Sequence, residues 1–500
     1  MKNLLSTLSV LLIVGFSASI SSAGNWETVG GNSMRNGRSD EVGPQGPDIL
    51  WEGAQDAWFG GQVYIWENFL VTMRFQGINI APIVCHDLDT GEELWSLDFE
   101  GTNSRSVPRG FRDGRIYATN FQETGHDTLY ALDPDSGAII WRAEKTVDLG
   151  IVWAVVYDSA GNIIIPGSGA HITKIDKSDG NIIWDIPRAQ PNTGAEGLVV
   201  FGNTLYGWTG YINTPKKVTA WNLADGTEKY SSATLPGDGD QETTPTIGPD
   251  GTIYALRDGG QLHALRDNGG GFDELWTVSI SGTGPTAQFG IGIDGSVYLP
   301  DGTTLVRLDQ NSGQVIDRSV DLISTPPLSP RITVDASGEL YVINGTSSEG
   351  MIYVLSPALE IIWSEPLPYN YYSGPALGEN GTLAVAGNGD ILRVYKTQTA
   401  IHFDDPIPLN FELVQNYPNP CNSSTVITFY LLRPCHVRLQ IFNPLGQLVK
   451  RLVDDYHSMG EYSITWDGKD NQEQIVGSGV YFYRLQAGGK SLTRRMAIAK

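Results

Sequence analysis

Asp238, Asp240 and Glu242 alternate with Gly239 and Gln241 in the stretch LPGDGDQETT at 235–244. Hard carboxylate oxygens at that spacing are the ligands calcium takes. The stretch lacks the length and closing glutamate of an EF-hand loop, so it is expected to be a solvated acidic loop, with calcium the alternative. His126, His171 and His263 are scattered, with no close carboxylate at metal-ligand spacing. No Gly-x-Ser-x-Gly elbow, cysteine–histidine arrangement or Cys-x-x-Cys-His haem site occurs. The chain is therefore expected not to be an enzyme, with no catalytic residues and no cofactor. A second group suits binding: Trp208, Tyr211, Tyr369, Tyr371 and Tyr372 offer flat faces that stack on a sugar or hold a peptide. The competing expectation is that these aromatics pack between structural units.

The elements that must position such residues follow from a repeat. Segments such as DLDTGEELW (87–95), ALDPDSGAIIW (131–141) and KIDKSDGNIIW (174–184) recur. They close at Trp51, Trp95, Trp141, Trp184, Tyr230, Trp276, Ile316 and Trp363, at spacings of 44, 46, 43, 46, 46, 40 and 47. A period of this size means units that bury their apolar faces only by stacking. Within each unit, runs rich in Val, Ile, Tyr and Leu are separated by Asp-Gly, Asn-Gly and similar turns, such as Asp113-Gly114 and Asp250-Gly251. Those turns supply the positive φ that tight hairpins need. Each unit reads as four antiparallel strands, A to D, with D carrying the Trp, and four such strands repeated radially make a propeller blade. The last unit has A, B and C strands (374–377, 382–387, 391–396) but no D strand. A lone D-type segment, DILWEG at 48–53, stands near the N-terminus. Joining them predicts an all-β, eight-bladed propeller closed by an N-terminal strand.

The units resemble the pyrroloquinoline-quinone (PQQ)-type propeller repeat, with its Ala-Leu-Asp strand end, Thr-Gly or Ser-Gly turn and following Trp. The segment WETVGGNSMRNGRS (26–39) is similar to the lead-in of such propellers. The resemblance covers about 25–396 and implies the fold, which hosts unrelated functions. Quinone alcohol dehydrogenases of this fold hold a calcium-bound quinone, commonly beneath a disulfide between adjacent cysteines. Here the cysteines are Cys85, Cys421 and Cys435, and no two are adjacent.

Residues 1–23 read as a secretory signal, with Lys2, an apolar run from Leu4 to Phe16 and Ser21-Ser22-Ala23 before Gly24. No later stretch is apolar enough to span a bilayer. Residues 24–408 hold 22 basic against 49 acidic residues, whereas 409–500 hold 10 against 7. An acidic body disfavours nucleic acid as partner. Residues 397–410 read as a linker, and 411–500 as a small β-sandwich. The motifs QNYPNP, Trp466-Asp467-Gly468, Ser478-Gly479-Val480-Tyr481 and the basic final strand resemble the type A C-terminal sorting domain of the type IX secretion system, itself like the immunoglobulin-like domain of FlgD. Cys421 departs from it, since an aromatic is usual there. That resemblance implies export to the cell surface or medium through the periplasm, with the translocon as partner of 411–500. A Cys421–Cys435 disulfide is open from spacing.

The functional expectation is a non-enzymatic binding or scaffold propeller, secreted or on the outer cell surface, that presents a loop face to a glycan or protein. The alternatives are a periplasmic outer-membrane protein assembly scaffold like BamB and a PQQ-dependent dehydrogenase.

Overall fold

A computed structural model describes residues 25–397 and 411–499. Excepted are 54–62, 75–79, 100–103, 122–126, 148–154, 167–170, 189–196, 211–215, 237–243, 258–259, 282–288, 323–330, 346–349, 368–373 and 388–390 in the first stretch, and 432–434, 445, 458–459, 473 and 488–489 in the second. The first stretch folds into eight sheets, each with four antiparallel strands that run A, B, C, D in order; in blade two Ile80–Ala81 adds a short fifth strand parallel to the A strand. Blade three is representative, with Val156–Tyr157, Ile163–Pro166, His171–Ile175 and Ile182–Pro187. Blade eight joins Ala376–Gly378, Thr382–Gly387 and Ile391–Tyr395 to Ile49–Gly53, so the ring closes as the lone N-terminal segment requires. Lys396 to Asp89 and Arg393 to Glu52 add ion pairs at this seam.

The recurring Trp owes its place to two local devices. A register shift lies just before it in each C–D pairing, such as Leu132↔Ile139 followed by Ala131↔Trp141. The bulge leaves Ile140 unpaired and exposed and aims Trp141 inward. Next, the indole donates from Nε1 to a turn carbonyl of the following blade: Trp51 to Leu88, Trp95 to Pro134, Trp141 to Lys177, Trp184 to Leu223 and Trp276 to Gln310, at 2.7–3.3 Å. The ring face lies under the turn glycine. A Cβ at Gly137 would sit 2.6 Å from Trp95, and Gly137 has φ of 69°. Both space and backbone conformation therefore demand glycine there. The turn's aspartate is used locally, as when Asp133 Oδ1 accepts from the Asp135 and Ser136 amides.

Departures from the repeat have identifiable causes. In blade four, Tyr230 replaces Trp and its hydroxyl reaches Asp267 of blade five. In blade six, Ile316 does not occupy the closing position. Leu308 pairs with Val315 and Arg307 with Asp317, so Ile316 is the bulge residue and Asp317 stands where Trp would. Tyr298 takes over the donor role, bonding the Pro357 carbonyl of blade seven at 2.9 Å. Trp363 of blade seven faces blade eight, which has no C–D turn because its strands come from opposite ends of the chain. Its Nε1 finds no acceptor among the described residues, and its ring centroid lies 5.7 Å from that of Tyr395.

The second stretch is a sandwich. One sheet orders Phe411–Leu413, Thr425–Leu431 and Gly460–Trp466; the other orders Leu448–His457, Cys435–Phe442, Gly479–Ala487 and Lys490–Ile498. Phe429, Leu439, Trp466, Tyr483 and Met496 meet in its core. Cys421 is buried beside Ala497, and the Cys435 side chain lies outside the described residues.

Candidate functional site

The segment 25–43 forms a strap that visits the blades in order. Trp26 pairs with Ile65 of blade one, and the Glu27 carbonyl accepts from Phe111 of blade two. Thr28 Oγ1 donates to the Val155 carbonyl before blade three. The carbonyls of Ser33, Met34, Asn36 and Gly37 then accept from Val200, Ile247, Ile291 and Val334 of blades four to seven, at 2.7–3.0 Å. The Val42 carbonyl lies against Gly381 of blade eight. From blade four to blade eight the contacts fall where an A strand meets its A–B turn. The strap therefore rings the channel mouth on the face of the tight turns and satisfies backbone donors that the sheets leave unpaired. Gly37 fits because a Cβ there would meet the Ile332 carbonyl at 2.3 Å. The sequence marks 26–39 only as a lead-in, since most of the contacts are made by backbone carbonyls and leave little side-chain pattern.

Charged groups are buried along the strap and the inner strands. Glu27 is 2 % exposed, with Arg112 Nη1 3.0 Å from its carboxylate. Burial pushes Glu27 up to about 7, outweighing Arg112. Arg112 lies 5.2 Å from the Tyr157 ring centroid. Burial would lower Arg112, but Glu27 and Asp113 hold it above its ordinary value. Arg35 reaches from the strap to the Leu198 carbonyl at 2.9 Å and is brought down to about 10 by burial, with Arg331 adding to the effect. Burial raises Tyr64 to about 12, an effect that Arg109, Arg35 and Arg331 oppose. Arg35, Arg109 and Arg331 thus all act on one buried tyrosine, inside a body whose sequence is strongly acidic.

A Glu27 that stays protonated in the folded state up to about pH 7, against an ordinary value near 4.5, gives a definite stability profile. Between those values the native state binds the extra proton. Stability therefore falls as pH rises through that window, by about 3 kcal/mol, and is flat above it. In Glu27→Gln, urea midpoints between pH 4.5 and 7.5 are expected to lose that component of the decline. An unchanged slope would contradict it.

The residues singled out by sequence fare differently. Trp208 is fully buried with Val218, Leu235 and Ile247 between blades four and five, and Arg257 stands 5.9 Å from its ring. The stacking role expected for Trp208 is thereby corrected: its strand, Thr204–Thr209, carries it into the inter-blade core. Tyr211, Tyr369, Tyr371 and Tyr372, and the calcium candidates Asp238, Asp240 and Glu242, lie outside the described residues, as does His126. His171 meets Asp185 at 3.1 Å across the C–D pairing, a contact that a scan for residues near in sequence misses. Buried His263 meets Thr277 at 3.0 Å. Among the described residues no group of three or more His, Cys, Asp or Glu could hold a metal. Cys85 sits in the C strand of blade one, buried, with Sγ 3.7 Å from the Pro134 carbonyl. Its strand is third in the order of that sheet, and it has no adjacent cysteine, so the disulfide associated with the quinone is not supplied.

Residues 81–319 match the family described as outer membrane protein assembly factor BamB, and residues 422–491 match the FlgD Ig-like domain. No curated protein matches the chain by sequence. Among solved structures, BamB from Moraxella catarrhalis is similar at 16 % identity and TM-score 0.52, covering 70 % of this chain and 99 % of its own. Quinohemoprotein alcohol dehydrogenase from Comamonas testosteroni is similar at 14 % and 0.54, covering 78 % and 82 %. The alcohol dehydrogenase ADHIIG from Pseudomonas putida HK5 is similar at 13 % and 0.57, covering 80 % and 83 %. Identities this low carry the fold alone. With the strand order they define a closed propeller of PQQ-type repeats, followed by an immunoglobulin-like β domain. No described helix is long and apolar enough to cross a membrane.

Proposed function

We propose that this chain is a non-enzymatic binding propeller, secreted or held on the outer cell surface, whose C-terminal domain directs its export by a type IX secretion system. The observation that supports this most is the FlgD Ig-like match over 422–491, joined to the QNYPNP and Trp-Asp-Gly motifs and the signal-like residues 1–23. In this reading 411–500 is recognised by the translocon, and a glycan or protein binds the propeller. The strap rings the turn-face mouth, so the D–A and B–C loops are the natural place for that ligand, with Tyr211, Tyr369, Tyr371 and Tyr372 as its stacking candidates. Fractionating cells that carry the chain with and without 411–500 tests the reading.

A second reading, a periplasmic scaffold for outer-membrane protein assembly, is favoured by the BamB family match over 81–319. It has no place for the C-terminal domain. A quinone dehydrogenase is the third, and the cysteine positions count against it. Calcium and the quinone added to purified protein, with dye reduction by alcohols as readout, separates it from the other two.

A further inference from the structure

Among the described residues, the C-terminal domain meets the propeller through an ion pair made by Arg438. Arg438 lies on the strand Cys435–Phe442, and its cross-strand neighbour Asp454 holds the guanidinium from within the domain at 3.2 Å. The guanidinium also forms an ion pair with Asp135 in the C–D turn of blade two. Only 17 % of the Arg438 side chain remains exposed. Around this pair is a cleft of about 680 Å³. The propeller lines it with turns and D-strand bulges of blades one to three, including Asp113, Leu94 and Ile140; the domain lines it with Asp455, Gln486 and Ser491.

Asp135 suits this contact because the turn does not use its side chain: Asp133 does the capping. The same turn position is Asp89 in blade one, where Lys396 occupies it at 2.9 Å as part of ring closure. It is Ser178, Ala224 and Asn311 in blades three, four and six. Among these turns, blade two alone offers a carboxylate that is not committed to the ring. The charge balance agrees, since the body is strongly acidic and the tail slightly basic.

We propose that Asp135 is an intramolecular dock for the C-terminal domain, with Arg438 as its key. The domain's four-stranded sheet is then held against the turn face of blades one to three. The loop face of the propeller stays clear, and any partner that grips this sheet must first displace the dock. The dock stands or falls independently of the export reading, because it concerns where the domain lies and not what recognises it. A partly exposed ion pair contributes to it, so salt weakens it.

Small-angle scattering of the mature chain 24–500 at low salt tests the dock. Arg438→Glu and Asp135→Arg should each raise the radius of gyration by about a tenth, as the domain swings from a compact particle. The double variant Arg438→Glu/Asp135→Arg should return it to the wild-type value. Far-ultraviolet circular dichroism confirms that each variant is folded. Asp135→Arg leaves the Arg438–Asp454 pair intact, so its effect reports docking alone. A wild-type radius in Asp135→Arg, or no recovery in the double variant, overturns the proposal.

Discussion

Removing residues 25–53 should abolish the folded propeller, although the deletion leaves seven complete blades. It takes away the D strand of blade eight, so Ile391–Tyr395 becomes an open edge and the ring has a gap beside blade one. It also takes away the strap. The amides of Phe111, Val200, Ile247, Ile291 and Val334 lose their acceptors at the inner ends of five blades. Each orphaned buried donor costs about 1–3 kcal/mol, and five of them rival the roughly 5–15 kcal/mol that holds an ordinary protein together. The expected result is that the cooperative urea transition of the propeller is lost while that of the C-terminal domain remains, and that adding the 25–53 peptide in trans restores it. A truncated chain whose propeller unfolds cooperatively near the wild-type midpoint would show that the strap is decoration.

The inter-blade tryptophans should separate into two kinds. Trp141 fills the space under Gly180 and donates to the Lys177 carbonyl at 2.9 Å. Trp141→Ala therefore opens a cavity between blades two and three and should cost about 3–5 kcal/mol. Trp141→Phe keeps most of the ring and loses the hydrogen bond, for about 1 kcal/mol. Trp363 is equally buried, yet its Nε1 has no acceptor among the described residues because blade eight lacks the turn that would supply one. Trp363→Phe should therefore be close to neutral. Chemical denaturation of the four proteins, wild type included, checks the pattern. Equal losses in the two Phe variants would contradict the role given to the turn carbonyl.

Much of this architecture was legible because the turn and the Trp of each blade are side-chain requirements. A glycine with positive φ and a tryptophan lying under it leave letters in the sequence, and Trp51 could be assigned to blade eight because the last unit lacks a D strand of its own. Ile316 misled because a β-bulge displaces the closing position by one residue, and apolar character alone does not show which of two neighbours is the inserted one. The strap was illegible for the opposite reason: Gly37 apart, its contacts to the blades are mostly carbonyls, which every residue has. Trp208 was legible as an aromatic beside a long connection. Its burial depends on Val218, Leu235 and Ile247 arriving from two blades. The Arg438–Asp135 contact joins residues in different domains, and no periodicity links them. For Tyr211, Tyr369, Tyr371 and Tyr372 the expectation rests on sequence, so they enter as binding candidates and not as a formed site.

The C-terminal domain is proposed to carry a binding propeller out of the cell. The direct measurement is protease accessibility of the propeller on intact cells of a type IX-secreting host, with culture medium and periplasm assayed in parallel. The full chain should be digested at the surface or recovered from the medium, and the chain lacking 411–500 should be retained, folded, in the periplasm. A propeller that reaches the surface without 411–500, or a full-length chain that stays protected in the periplasm, would contradict the account.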